Sequence, residues 1–224
     1  MENHTITKQN IPEYDFDIIH LIKTGFRRIE GVKGVFLAAF FFYVLIAIGV
    51  QIILSSIFPS HEAQANLINQ QIVTLLSYPV LMPLMVGIMM LAINYSRGHS
   101  VELKSIFNYY HLMGKLALAS VLIYIMTVIG FILLILPGIY LAIAYVFTLP
   151  LIADKGMDVW EAMEFSRKSV TKHWFKVAIL FFLLGFIMGL GALAFGIGLI
   201  WAVPLMFVTL YGLLYPLIFD GIDV

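Results

Sequence analysis

Cysteine is absent from this chain of 224 residues, which excludes disulfides, thiolate metal sites and cysteine nucleophiles. Charge is scarce as well. Only 12% of residues are Asp, Glu, Lys or Arg and the net charge is zero, against roughly 25% charged residues in an ordinary soluble domain. No basic block exists to follow a phosphate backbone, so nucleic acid is not an expected partner. The histidines His4, His20, His61, His99, His111 and His173 form no H-E-x-x-H and no pair three or four residues apart, so no metal site is expected. The glycines from Gly185 to Gly198 lie in apolar sequence with no following Lys, which removes a phosphate-cradling loop and leaves no cofactor to expect. Ser55, Ser120, Thr127 and Thr148 lack a nearby His or Lys to activate them and are read as bonding their own backbone. Residues 1–34 mix Glu13, Asp15, Asp17 and Glu30 with Lys23, Arg27 and Arg28, unlike a signal peptide, and the N-terminus is expected to be retained.

What remains is apolar: 62% of residues are hydrophobic. A helix needs about 20 such residues to cross ~30 Å of hydrocarbon, and Val35 to Ile57, Ile72 to Tyr95 and Leu116 to Leu136 meet that length. Leu136-Pro137-Gly138 is a turn signal ahead of a shorter stretch, Pro137 to Ala153. Trp174 to Phe219 is long enough for two crossings with a turn within Gly191 to Gly198. Six spans result. Twelve of the thirteen Lys and Arg fall outside them and Lys176 lies two residues into the fifth; all thirteen form three clusters: Lys8 to Lys33, Arg97 to Lys115, and Lys155 to Lys176. Phe58 to Gln71 and the two later turns carry none. Since basic loops stay on the cytoplasmic side, both termini are expected in the cytoplasm.

The basic segments resemble one another. Arg97-Gly98-His99-Ser100-Val101 matches Lys155-Gly156-Met157-Asp158-Val159 in its basic residue, Gly and Val. Tyr145 to Asp154 and Tyr211 to Asp220 share Tyr, Pro, Leu, Ile and Asp at identical spacing, placing Pro150 and Pro216 in register. These matches suggest one all-α membrane domain over 1–224, built from three parallel repeats near 15–95, 100–154 and 158–220. Each repeat is an amphipathic cytoplasmic helix followed by a transmembrane hairpin. In the first, Ile19, Ile22, Phe26 and Ile29 share a face, with Lys23, Arg27 and Glu30 off it. In the third, Asp158 and Glu161 have capping-box spacing, and Glu164 precedes Arg167 and Lys168 by three and four residues. Such helices suit the headgroup layer. They either merely connect and orient the spans or recognise anionic lipid through Arg167, Lys168, Lys172 and Lys176, each worth ~1 kcal/mol near a charged surface.

From Leu136-Pro137-Gly138 through Pro150, Asp154-Lys155-Gly156 and Ala162-Met163 to Ser166 and the basic residues after it, the sequence resembles the YciC-like bacterial inner-membrane proteins. It is also similar to the wider set related to the membrane domain of glycerophosphodiester phosphodiesterases. The resemblance covers this stretch well and the rest only in layout. It implies a bacterial multi-helix inner-membrane protein concerned with envelope or lipid homeostasis. Members of the wider set can carry a soluble phosphodiesterase domain. None lies in these residues, so hydrolysis is not carried over.

No Asp, Glu, Lys, Arg or His lies in the middle of a span, where a proton-coupled carrier or an intramembrane enzyme would need one. Asp154 and Asp220 follow the shared Pro-Leu-Ile; they are expected to brace neighbouring donors such as Lys155, with a cation or headgroup site as the alternative. Gly185 and Gly189 form G-x-x-x-G, expected to pack within the chain rather than between copies. Pro79, Pro83, Pro150, Pro204 and Pro216 all fall on even-numbered spans, which should kink and either shape the bundle or open a cavity. The function expected is non-enzymatic: an inner-membrane protein that binds or organises membrane lipids, in one copy or as a homo-oligomer. A transporter or channel lined by the kinked spans is the alternative.

Overall fold

The computed structural model describes residues 13–58, 63–193 and 196–221, without the side chains of 63–68. Both expected cytoplasmic termini, with His4 and Lys8, lie outside the described residues, as does His61. Ten α-helices are present among the described residues: α1 (Ile18–Ile29), α2 (Lys33–Ile57), α3 (Ala63–Ser96), α4 (Met113–Leu133), α5 (Ile135–Ala144), α6 (Thr148–Lys155), α7 (Val159–Lys172), α8 (Trp174–Leu193), α9 (Leu199–Phe207) and α10 (Tyr215–Phe219). A 3₁₀ helix, Leu103–Leu112, leads into α4, and a π-helix, Val208–Leu214, joins α9 to α10. Together they contain six stretches long and apolar enough to cross a bilayer: Lys33–Ile57, Asn69–Ser96, Leu103–Leu133, Ile135–Lys155, Trp174–Leu193 and Leu199–Phe219. The polar segment before Ile72 is a helical extension of the second span from Ala63 onward.

Two tight hairpins close on paired glycines. Leu134 is the single extended residue between α4 and α5, and a Cβ on Gly130 would lie 3.0 Å from Gly138 Cα. Between α8 and α9, a Cβ on Gly198 would lie 2.4 Å from Gly191 Cα. Gly185 and Gly189, expected to pack within the chain, have open space where a Cβ would stand, which corrects that expectation. Their G-x-x-x-G faces outward in an apolar groove with Phe186 and Leu190.

Even-numbered spans form the interior. An aromatic cluster fills it: Phe147 meets Tyr211, Tyr215 and Phe219 edge-on at 5.6–6.2 Å between ring centres, and all but Tyr211 are fully buried. Odd-numbered spans wrap this core and leave Phe41, Ile52, Ile129 and Phe182 exposed, as lipid-facing helices do.

Three short helices pack cyclically onto that interior, each against the even-numbered span of the hairpin before it. Ser166 of α7 bonds the α5–α6 junction. Ile106 of the 3₁₀ helix presses its carbonyl on Gly87 of α3, where a Cβ would come within 2.2 Å. Gly25 of α1 lies against Leu205 and Thr209 of the sixth span. Asp17 caps α1 by accepting from the His20 amide at 2.6 Å. The face expected on α1 is split: Ile29 is buried and Ile22 half-buried, but Ile19 and Phe26 are exposed. In the middle segment the helix is 3₁₀ because Leu103, Ile106, Tyr109 and Leu112 recur every three residues and all turn to the core. At α7, Asp158 holds the N-cap position without the expected side-chain cap bond, because its carboxylate takes Lys115 Nζ at 2.7 Å instead.

Candidate functional site

The repeated Tyr-x₄-Pro-Leu-Ile-x-Asp segment organises the interior, and each of its residues has a distinct physical task. Proline has no amide hydrogen and its ring collides with the carbonyl four residues earlier. For Pro150 that residue is Val146, and for Pro216 it is Gly212. Neither lies in α-helix. Residues 145–147 break the fourth span between α5 and α6, while Gly212 falls in the π-helix. The wider π register absorbs the extra backbone and lets Pro216 open α10 at its first turn.

A broken helix frees backbone groups that a membrane interior cannot hydrate. At the first break Ser166 satisfies two of them: its Oγ donates to the Ala144 carbonyl at 2.8 Å and accepts from the Phe147 amide at 3.2 Å. Ser166 is fully buried. In the second span α3 stays helical through Pro79 and Pro83, and the Tyr110 hydroxyl ties the 3₁₀ helix to it by donating to the Val80 carbonyl at 3.0 Å.

The Asp residues meet at one guanidinium. Arg97, just past α3, grips Asp154 bidentately at 2.6 and 2.8 Å and Asp220 through Nε at 3.2 Å and through Nη2. Tyr215 donates to Asp154 at 2.9 Å. The ends of all three even-numbered spans are thereby tied by a planar donor suited to two carboxylates. Hydrogen bonds to Asp154 and then Asp220 raise the Arg97 pKa further above its already high value, so it is cationic throughout the accessible pH range. Lys155, the donor named from sequence, lies close enough for its charge to act on Asp154, but sequence reasoning missed Arg97. A signal was present: Arg97-Gly98, Lys155-Gly156 and Asp220-Gly221 each end an even-numbered span before a glycine, with Gly98 and Gly156 at φ +82 and +69°.

The Tyr residues share a groove. Tyr145, in the first break, and Tyr211, in the π-helix, both line a cavity of about 370 Å³ between α3, α4 and the fourth and sixth spans, with Tyr78, Tyr124, Ser120 and Thr127. Ser120 donates to the Leu116 carbonyl at 2.8 Å, as expected of a hydroxyl in a span. Thr127 Oγ1 and Thr148 Oγ1 depart from that expectation, being buried with no partner among the described residues.

The four basic residues expected to meet lipid fall into two pairs. Arg167 and Lys168 both bind Glu164, at 2.8 and 3.2 Å, and Arg167 foremost holds the Glu164 pKa down to about 2. Lys172 and Lys176 flank the elbow where α7 meets α8, lining a groove of about 520 Å³ with His173, Trp174, Tyr140 and Thr171. Lys176 pairs there with Asp15, whose carboxyl pKa it lowers. Tyr14 beside it bonds the Ser169 carbonyl at 3.0 Å, and burial raises its phenol pKa. Lys172 and His173 also border a second recess of about 630 Å³ with Glu13 and Tyr14. No protein-family model, curated protein or solved structure matches the chain.

Proposed function

We propose that this is a non-enzymatic protein of the bacterial cytoplasmic membrane that binds and organises anionic lipid, with both termini in the cytoplasm. The observation carrying this reading is the α7–α8 elbow groove, where Lys172, Lys176 and His173 stand beside Tyr140 and Trp174. Cations next to interfacial aromatic side chains are the composition that meets a phosphate headgroup while anchoring at the bilayer surface. Each short helix also exposes a large apolar residue near charged ones, Phe26 on α1, Phe107 on the 3₁₀ helix and Trp160 on α7, which suits burial in the headgroup layer. Their cyclic packing supports the reading of three repeats. The alternative, a channel along the even-numbered spans, is disfavoured by the aromatic cluster packed between the fourth and sixth spans.

The deciding experiment is native mass spectrometry of the protein extracted with its surrounding membrane. Selective retention of one anionic lipid is expected, and it should be lost in Lys172→Gln/Lys176→Gln but kept in Arg167→Gln/Lys168→Gln. Retention that is unselective, or indifferent to the elbow lysines, removes the reading and makes transport assays the next step.

A further inference from the structure

The tyrosine-lined groove is chemically unlike the elbow. Its lining holds four phenols, Tyr78, Tyr124, Tyr145 and Tyr211, together with Ser120 and Thr127, and otherwise apolar side chains; no carboxylate, ammonium, guanidinium or imidazole is among them. About 370 Å³ is within the range of sites for small molecules or a lipid segment. It lies against the middle of α4, since Ser120 and Thr127 are interior to Met113–Leu133.

Two independent features mark it as more than a packing defect. The first is backbone irregularity: Tyr145 sits in a helix break and Tyr211 in a π-helix. Non-α backbone at membrane depth persists where it is buried in protein or lines a cavity, and π segments recur at functional positions. The second is unspent hydrogen bonding. Thr127 Oγ1 is buried without a partner, and the Tyr145 hydroxyl reaches only the Met126 sulfur at 3.6 Å, a weak acceptor.

From these features we infer that the groove binds a neutral lipid bearing a carbonyl or hydroxyl oxygen, its hydrocarbon chain leaving through the open side. A charged headgroup is excluded by chemistry, because no opposite charge is present to offset burial of an ion at this depth. The oxygen takes hydrogen bonds from Tyr145 and the unpartnered Thr127, and the chain lies against the apolar remainder. Diacylglycerols and isoprenoid quinones share this chemistry. The site is separate from the elbow and does not depend on anionic lipid binding there.

The test is photolabelling of the full chain in nanodiscs with a diacylglycerol carrying a diazirine in one acyl chain, and with phosphatidylglycerol carrying the same group. Labelled peptides from 118–128 and 142–149 are expected with the neutral probe. Ala142→Phe, which fills the groove from an exposed wall position, should abolish this labelling, and Thr127→Val or Tyr145→Phe should reduce it several-fold. Lys172→Gln/Lys176→Gln should leave it unchanged, which separates this site from the elbow. Competition by unlabelled diacylglycerol or by an isoprenoid quinone tells which source binds better. Circular dichroism melting of each variant identifies any that fails to fold; the isosteric Thr127→Val then carries the result. Labelling that is unaffected by the folded variants, or equal with phosphatidylglycerol, overturns the inference.

Discussion

The even-numbered and odd-numbered spans differ in burial far more than in hydrophobicity. The second, fourth and sixth spans bury 61, 44 and 78% of their most apolar stretch inside the protein, against 6, 22 and 22% for the first, third and fifth. Mean hydropathy differs little, 1.9–2.0 for the inner set and 2.3–2.6 for the outer. In a membrane both lipid and protein interiors are apolar, so hydropathy separates the two sets by only a small margin. What separates the sets is local grammar. All five mid-span prolines and the two Tyr-Pro-Asp segments lie on the inner spans, where a neighbouring helix also meets the backbone groups freed at the 145–147 break.

The contrast should break most sharply at glycine. Gly87 on α3 has the backbone carbonyl of Ile106 where a Cβ would stand, 2.2 Å away, whereas nothing lies within 4 Å of that position at Gly185 on α8. Gly87→Ala is therefore expected to prevent accumulation of folded protein, since backbone cannot give way as a side chain does. Gly185→Ala should leave the melting temperature within a degree or two. Size-exclusion chromatography of both in mild detergent checks this, and equal behaviour would collapse the inner–outer distinction.

Arg97→Ala ranks next. It leaves Asp154 and Asp220 facing each other without the guanidinium between them, with the Asp154 side chain only 9% exposed. Removing one member of a buried pair typically costs about 3–5 kcal/mol, and about 3 is expected here because Arg97 itself is partly exposed. Adding Asp154→Asn and Asp220→Asn should recover part of that loss. Lys104→Ala on the exposed face of the 3₁₀ helix should have no measurable effect. Thermal unfolding followed by circular dichroism compares the four proteins.

Much of this arrangement could be read before any coordinates. Span positions followed from runs of Val, Leu, Ile and Phe, and the Tyr-Pro-Asp match singled out residues that line the groove, break helices and build the ion cluster. Other features depended on information that periodicity does not hold. Leu103, Ile106, Tyr109 and Leu112 fit a period of three, which a search for the 3.6-residue period passes over. Asp158 satisfies the capping pattern, but Lys115 competes for the same carboxylate across 43 positions of sequence. Gly185 and Gly189 carry a packing motif whose face is set by the rotation of α8, which the outer helix's uniformly apolar sequence leaves undetermined. Arg97 reads in sequence as a basic loop residue that sets topology, and its partners come from the fourth and sixth spans.

A serine comparison sharpens the inner–outer difference at smaller amplitude. Ser166→Ala removes the hydroxyl that meets both the Ala144 carbonyl and the Phe147 amide. Each unsatisfied buried group costs about 1–3 kcal/mol, and a net loss of about 2 is expected as the junction relaxes. Ser56 on α2 bonds the Ile53 carbonyl at 2.7 Å on an exposed face, and Ser56→Ala should shift stability by no more than about 0.5 kcal/mol. Unfolding titrations in mixed micelles resolve a difference of this size.

Acid should act on the periphery first, and weakly. Arg167, then Lys168, hold the Glu164 pKa at about 2, below its ordinary 4.5. A depressed carboxyl pKa stabilises the folded state above the unfolded value, and that contribution is lost as pH falls from about 4.5 through the folded pKa of about 2. Since the Glu164 side chain is 35% exposed, solvent screening keeps the effect small. Hydrogen exchange at α7 and the elbow is therefore expected to rise modestly between pH 4.5 and 3, and Glu164→Gln should remove that dependence. If exchange in α7 instead stays flat while α3 and the sixth span loosen, then the ion cluster at Arg97 is the acid-sensitive element, and the interior is the less robust of the two layers despite its burial.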